Sequence, residues 1–243
     1  MTADCQDITV HALNFDHQGE PVFYASVPCS RDIVKGHRTS LLIEKHRLVS
    51  RLWDHLGTMA NPLWDCIHSS HEASFPPHLV HSPLGRPHLL LGGCRGPAIS
   101  FSEGGGSISA ALSGDESDIG IDVAGTDEFQ AGYPFHRVFH DRELHHALIL
   151  AGGELGSASA LLWSIKEAVV KVLGCAFHRV DPLQLNVYPS VATENGGYSF
   201  PVRISKKALI PLPIDADRAL WVRSFPHAKM WLSISRLKRM KDE

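Results

Sequence analysis

The chain has 243 residues, of which 44% are hydrophobic and 20% are charged, so it is long enough for one large or two small globular domains. A formal net charge of −3 gives no general attraction for nucleic acid. The five cysteines are odd in number and lack CxxC spacing, which favours free thiols in a reducing compartment over a disulfide framework.

Residues 1–15 carry acidic side chains where a secretory signal would be basic. Nowhere does the chain reach the roughly 18 consecutive apolar residues of a membrane span. We therefore expect a soluble, cytoplasmic protein.

The first half of the chain predicts short strands and one helix. Residues 8–27 are typical of two strands around a turn, and residues 34–57 carry an apolar stripe with helical period. Residues 58–83 are rich in Pro, Ser and His and predict a surface excursion. Further strands are predicted at 85–91, 97–102 and 107–114.

The second half predicts a short buried strand within 115–125, followed by two helices. The first helix should begin near Asp141 and stop at Gly152–Gly153, and the second should span 161–174. Four strand-like segments follow, at 181–188, 198–205, 219–225 and 229–235.

The two halves resemble each other, since "GGGSISAALSG" closes the first much as "PHAKMWLSISR" closes the second. We therefore predict an α+β fold of two similar subdomains, residues 1–117 and 118–243.

The predicted helix 161–174 is apolar around most of its circumference but keeps a polar stripe. At about 100° per residue, Ser164, Glu167 and Lys171 fall within about 60° of one another. One interpretation is a solvated edge with an i,i+4 Glu–Lys pair, worth about 0.2–0.5 kcal/mol. The other is a site that binds a divalent cation and a phosphate together, because Mg²⁺ takes one or two protein carboxylates and leaves other positions to substrate oxygens.

A second carboxylate is available in "DIGIDVAG". Asp122 follows Ile119, Gly120 and Ile121, so it lies in or at the end of a buried strand, where an unpaired charge is costly. Turn capping or pairing with an arginine would also explain it.

The order of four segments resembles the 4′-phosphopantetheinyl transferases, in particular the type that activates surfactin synthetase and other modular synthetases. The segments are "IGIDV" (119–123), "FHDREL" (139–144), "LLWSIKEAVVKVLG" (161–174) and "DPLQLNV" (181–187). Upstream, "HRTSLL" (37–42) and "GRP" (85–87) resemble the segments with which the family holds coenzyme A.

The resemblance implies two pseudo-symmetric α+β subdomains with an active site in the cleft between them. It implies Mg²⁺-dependent transfer of 4′-phosphopantetheine from coenzyme A to a serine of an acyl or peptidyl carrier protein, with release of 3′,5′-ADP. Such a monomeric enzyme would act by post-translational modification in fatty acid, polyketide or nonribosomal peptide biosynthesis. Membranes and nucleic acids are not expected partners.

The resemblance also assigns roles to individual residues. Asp122 and Glu167 match the metal-binding carboxylates, Glu167 matches the proposed general base, and Lys171 matches the lysine at the pyrophosphate. Asp122, Glu167 and Lys171 are therefore the predicted catalytic residues. The predicted contacts to coenzyme A are Arg38, Thr39, Arg86, Ser100, Lys166 and Lys171. For the two arginines, a solvated surface charge is the alternative.

Two departures from the family pattern leave questions open. Phe101 stands where many relatives have a histidine that contacts coenzyme A phosphates, and Gly104–Gly106 beyond it could cradle a phosphate or form a turn. Ala124 replaces a third metal-binding glutamate, so water, Asp118 or Asp127 would have to fill that position. These losses also permit a non-catalytic protein that binds coenzyme A or a carrier, although an active enzyme is the favoured reading.

Sixteen histidines and a basic C-terminal segment carry weaker signals. The HxxH pairs at 68–71 and 78–81 lack other ligands at zinc-binding spacing, so no zinc site is predicted. Residues 61–83 resemble an insertion between the coenzyme-binding segments, and 235–243 could dock an acidic partner or fray in solvent.

Overall fold

The computed structural model describes residues 8–15, 20–29, 38–58, 77–82, 85–130, 132–175, 177, 179–194, 196–205 and 220–237. Contacts within the described chain define two compact units that divide between Ile119 and Gly120. This division lies two residues beyond the boundary predicted from the sequence.

The first unit is a helix packed on an antiparallel sheet with strand order β1-β2-β7-β6, beside a small sheet with order β3-β4-β5. Its elements are β1 (His11–Leu13), β2 (Val22–Pro28), α1 (Arg38–Gly57), β3 (His78–His81), β4 (Pro87–Leu91), β5 (Cys94–Arg95), β6 (Ile99–Gly104) and β7 (Ser107–Ser113). The core forms where Leu48, Leu52 and Leu56 of α1 meet Phe23 and Ile108 of the sheet. Because these leucines recur every four residues, they share the helix face that the periodicity predicted.

The second unit also packs helices on a sheet. Strands β10 to β13 follow one another in the sheet, β8 lies beside β13, and β9 pairs with β11. The elements are β8 (Asp118–Gly125), α2 (Asp141–Leu150), α3 (Leu155–Val172), β9 (Leu185–Val187), β10 (Val191–Ala192), β11 (Tyr198–Ile204), β12 (Leu220–His227) and β13 (Met230–Leu237), with 3₁₀ turns at Thr126–Glu128, Phe135–Arg137 and Pro182–Gln184. Helix α3 packs on β12 and β13, so most of its circumference is buried.

The two units share a local strand arrangement. In the first, β2 lies beside β7, which pairs with β6; in the second, β8 lies beside β13, which pairs with β12. In each unit, the last strand of the main sheet, β7 or β13, therefore lies between an earlier strand of the unit and the strand that precedes it in the chain. The mixed helix and strand content confirms the predicted α+β class.

Helix α3 begins at Leu155, six residues before the predicted start at Leu161. Gly152 and Gly153 adopt positive φ angles of 64° and 88°, which end α2, and Glu154 occupies the N-cap position of α3 without a side-chain hydrogen bond to the helix. The intervening "LGSASA" is too rich in small residues to show a helical period in the sequence.

Within the described chain, no single helix is long and apolar enough to cross a membrane. Helices α2 and α3 meet that test only when taken together across a bend of 115°.

Candidate active site

Asp122 lies in β8 against helix α3. Strand and helix approach closely at Gly120, where an added Cβ would meet the backbone carbonyl of Ala168 and lie 2.7 Å from the amide nitrogen of Val172. Because successive strand residues face opposite sides, Gly120 and Asp122 both face the helix. The glycine therefore permits the packing that brings the Asp122 carboxylate to α3.

Lys171 contacts Asp122 directly. Its ammonium donates to Asp122 Oδ1 at 2.7 Å and to the carbonyl oxygen of Ile121 at 3.0 Å. The expected i,i+4 ion pair with Glu167 is not among the ion pairs of the described residues. The lysine therefore links the helix to the strand, and the interpretation of the stripe as a solvated edge does not describe it.

Glu167 lies beside this pair, and its carboxyl is perturbed. Burial, assisted by the neighbouring Asp122 carboxylate, raises the pKa of Glu167 to about 6, while the Lys171 ammonium opposes the shift. The structure thus brings Asp122, Glu167 and Lys171 together within the second unit.

Ser164, the other member of the stripe, has a structural position. It is fully buried, and its Oγ donates to the carbonyl oxygen of Leu161 at 2.9 Å and lies 2.7 Å from Ser233 Oγ on β13. Ser164 therefore links α3 to the sheet.

A third carboxylate, Glu128, approaches the group from the turn after β8. Glu128 Oε1 accepts a hydrogen bond from the Gly125 amide at 2.8 Å. Burial raises the pKa of Glu128, as do Asp122 and Asp127, while the Gly125 hydrogen bond lowers it. Glu128 was not predicted from the sequence, although the acidic pair Asp127–Glu128, five and six residues beyond Asp122, was a visible signal.

Aromatic packing joins the turn that contains Glu128 to α3. The next residue, Phe129, is buried, and its ring centroid lies 6.3 Å from that of Trp163. Trp163 precedes Glu167 by four residues, so the two share one face of the helix. Tyr133 packs against Phe129 at 5.0 Å, and burial together with Glu128 and Glu167 raises its pKa.

Lys166 was predicted to contact coenzyme A, but its side chain lies in the core. Its side chain is 0% exposed, and its ammonium contacts Glu143 Oε2 at 2.8 Å and the carbonyl oxygens of Val138 and Pro182 at 2.9 Å each. Burial lowers the pKa of Lys166, and the Glu143 carboxylate opposes that shift. Because this ammonium has three protein acceptors and no exposure to solvent, its role is to stabilise the core.

Glu143, in the "FHDREL" segment, also has a structural role in the core. It accepts hydrogen bonds from the amides of Val187, at 2.7 Å, and His140, at 3.1 Å, in addition to its contact with Lys166. The Lys166 ammonium also lies 5.7 Å from the ring centroid of Phe139. The segment thus surrounds Lys166 and joins α2 and α3 to β9.

The other predicted coenzyme contacts lie in the first unit. Arg38 and Thr39 begin α1; Thr39 is exposed, and the side chain of Arg38 lies outside the described part. Arg86 donates to Asp118 Oδ1 at 2.7 Å, and Ser100 is buried in β6. Arg86 is therefore an ion-paired residue rather than a free surface charge.

Phe101, which replaces the histidine of the relatives, has a cation beside it. The Lys45 ammonium lies 5.5 Å from the Phe101 ring centroid and pairs with Glu103 at 2.6 Å. Gly105 and Gly106 form the β6–β7 turn with φ angles of 59° and 75°, as a type I′ turn requires. Of the two alternatives for these glycines, the turn fits.

Asp118 does not replace the glutamate that is missing at Ala124. Besides Arg86, Arg95 lies 3.4 Å from its Oδ1, and four residues of strand separate it from Asp122 by about 13 Å. Ala124 itself is buried in the core of the second unit.

A magnesium ion fits the donor set as a partly hydrated ion. Within the described part of the chain, no three His, Cys, Asp or Glu side chains are arranged to hold a metal on their own. Two carboxylates with oxygens supplied by water and substrate phosphates are, however, what Mg²⁺ commonly uses. The repulsion between Asp122 and Glu167 also favours a cation there.

The histidine signals fall largely outside the described residues. Positions 68–71 and most of 61–83 are not described, and 78–81 form strand β3. The C-terminal basic segment is described only as far as Leu237, in β13.

A comparison with models of protein families finds a match over part of the chain. Residues 118–204 match the sequence model of the 4′-phosphopantetheinyl transferase superfamily, whose members use coenzyme A. The matched segment contains Asp122, Glu128, Glu167 and Lys171. No curated protein matches the chain significantly.

Proposed function

We propose that this protein transfers 4′-phosphopantetheine from coenzyme A to a serine of an acyl or peptidyl carrier protein, in a Mg²⁺-dependent reaction that releases 3′,5′-ADP. The supporting observation is the convergence of Asp122, Glu167 and Lys171 within the segment that matches the superfamily. The surfactin-synthetase-activating subtype, the cytoplasmic location and the monomeric state are parts of this proposal.

In the proposed mechanism, Asp122 and Glu167 would hold the Mg²⁺. When bound, the ion would neutralise negative charge on the diphosphate of coenzyme A. Lys171, held beside Asp122, would supply a second positive charge to the same diphosphate.

Glu167 would accept the proton of the carrier serine. A carboxylate at the edge of the cation site, within reach of the attacking hydroxyl, can accept that proton. As the serine oxygen forms its bond to phosphorus, the bond from phosphorus to the 3′,5′-ADP oxygen breaks and 3′,5′-ADP leaves with that electron pair.

The test is to incubate the protein with coenzyme A, Mg²⁺ and a panel of fatty acid, polyketide and peptide carrier domains. Intact-mass measurement should show addition of one phosphopantetheine group to at least one carrier, together with free 3′,5′-ADP. The absence of both products with every carrier would contradict the proposal.

Glu167→Gln is the informative variant, because it keeps the size of the side chain and removes the base. The labelling rate should fall at least about 100-fold, the usual contribution of a general base. Glu194→Gln, a matched change at an exposed position of the same unit, should keep the wild-type rate. Equal rates for all three proteins would exclude Glu167 as the base.

The replacement of the third carboxylate by Ala124 favours a second candidate, a non-catalytic protein that binds coenzyme A or a carrier. Calorimetry with coenzyme A separates the two functions. A binder would take up coenzyme A but release no 3′,5′-ADP after a carrier is added.

A further inference from the structure

We propose that Glu128 supplies the third carboxylate of the cation site, by accepting a hydrogen bond from a water in the cation's hydration shell. The inference rests on the proposed function, from which the divalent cation follows. Glu128 would thus be a positioning residue that restores, from the turn after β8, a negative charge that the strand has lost at Ala124.

The geometry places Glu128 where this role requires it. Its carboxylate folds back onto the end of β8, 2.8 Å from the Gly125 amide and therefore one residue from Ala124. An added Cβ at Gly125 would lie 3.2 Å from Glu128 Oε1 and 2.6 Å from Asp127 Oδ1. Glycine at this position leaves room for the carboxylates at the end of the strand.

The approach from the α3 side is equally well fixed. Phe129 packs on Trp163, one helical turn before Glu167, and Tyr133 packs on Phe129 while it interacts electrostatically with both Glu128 and Glu167. The residue that follows Glu128 is therefore packed on the helix that carries Glu167.

Charge balance points to a cation at this place. Asp122, Glu128 and Glu167 are three carboxylates, and among the described ion pairs Lys171 is the cation that contacts one of them. A divalent ion would reduce the mutual repulsion of these carboxylates.

The structure also indicates why Glu128 would act through water. Its Oε1 is occupied by the Gly125 amide, and no three acidic or imidazole side chains of the described residues are arranged around a common metal position. Mg²⁺ usually retains several waters, and carboxylates beyond the directly bound groups contribute to metal affinity by orienting them.

The experiment is a titration of the full chain with Mn²⁺ alone, in which free Mn²⁺ is measured by electron paramagnetic resonance. Glu128→Gln should weaken Mn²⁺ binding by about 10-fold or more, as removal of an outer carboxylate commonly does. Glutamine can still accept the Gly125 hydrogen bond, so an unchanged melting temperature should accompany the loss.

Two further variants separate a specific role from a general loss of negative charge. Glu194→Gln removes the same charge from an exposed loop position and should stay within about threefold of wild type. Asp127→Asn tests the adjacent carboxylate, which is the rival for this role, and should weaken binding less than Glu128→Gln does. Wild-type affinity in Glu128→Gln, an equal loss in Asp127→Asn, or a wild-type chain that binds no Mn²⁺ would overturn the inference.

The result is independent of carrier labelling. A Glu128-dependent Mn²⁺ affinity without labelling would remove the proposed function and keep the cation site. Labelling with a Glu128-independent affinity would keep the function and remove this role for Glu128.

Discussion

Lys166 and Glu143 form a buried ion pair whose remaining hydrogen-bonding positions are also filled. The ammonium reaches two backbone carbonyls, and the carboxylate accepts two backbone amides. Removal of one partner would leave the other charge buried without its counter-ion, which is much more costly than loss of an exposed pair.

Lys166→Met should therefore lower the free energy of unfolding by about 3–5 kcal/mol, measured by urea denaturation. The matched change Arg47→Met breaks the partly exposed pair with Glu44 on α1 and should cost less than about 1 kcal/mol. Similar losses in the two variants would show that the core position of Lys166 has no special energetic role.

Glu167 makes the stability of the metal-free protein depend on pH. Because its folded pKa, about 6, lies above the ordinary value of 4.5, its contribution is most favourable below pH 4.5 and is lost as pH rises through 6. In the presence of EDTA, Glu167→Gln should be as stable as wild type at pH 4.5.

At pH 8 the same variant should be more stable than wild type by up to about 2 kcal/mol, since one pKa unit corresponds to about 1.4 kcal/mol. Urea unfolding at both pH values measures the difference. A wild-type protein that is the more stable of the two at pH 8 would contradict the raised pKa.

At this scale, sequence patterns predicted the candidate residues whose spacing is local. Glu167 and Lys171 follow from helical period, and Asp122 follows from a charge inside an apolar strand. The sequence did not reveal that Lys166 is buried, because the helix turns it by about 100° from its neighbour Glu167 and into the core. Glu128 depends on a turn conformation that no periodicity reveals.

Among the elements, the contact between β8 and α3 determines the geometry of the site. Gly120 allows it, because a side chain there would press on the backbone of α3 near Ala168 and Val172. The backbone of a helix cannot move aside to make room for an added Cβ, whereas the end of a flexible side chain can.

Gly120→Ala should consequently destabilise the protein by about 1–3 kcal/mol or more and weaken the binding of Mn²⁺. Thermal melting and the Mn²⁺ titration are the measurements. Gly96→Ala, which would meet only the side chains of Leu91 and Leu89 at 3.1–3.3 Å, should be the milder change. The reverse order would mean that the strand and helix separate without cost.

The elements themselves were largely predictable, because alternating strands and amphipathic helices leave local signals. The strands predicted at 107–114 and 198–205 correspond to β7 and β11, and the helix predicted to start near Asp141 is α2. The start of α3 was missed because its first turn consists of small residues. The order of strands in each sheet arises from long-range pairing and was not evident.

For the whole molecule, the two similar segments that close the two halves of the sequence form strands with equivalent positions in their sheets. Segments "SISAALS" and "MWLSISRL" are β7 and β13; β7 lies between β2 and β6, as β13 lies between β8 and β12. The similarity in sequence therefore reflects an equivalent position. Each strand has a neighbouring strand on both sides in its sheet, and both of its faces are largely buried.

Ligands that bind only the folded chain should stabilise the whole molecule. Coenzyme A with Mg²⁺, at 100 times its dissociation constant, should raise the free energy of unfolding by about 2.7 kcal/mol. Addition of EDTA should remove the part that depends on the metal, as followed by the melting temperature. No shift with coenzyme A at any Mg²⁺ concentration would argue against the transferase and against a protein that binds coenzyme A.

The hydrogen bond from Val187 to Glu143 has a consequence for solubility. Flanking residues of β9 face β11, as the bonds from Tyr188 to Pro201 and from Ser205 to Gln184 show, so the Val187 amide points out of the sheet. An open donor on such a margin is a template for pairing with another chain. Because Glu143 accepts this hydrogen bond, the Val187 amide is not open to pairing with a strand of another chain.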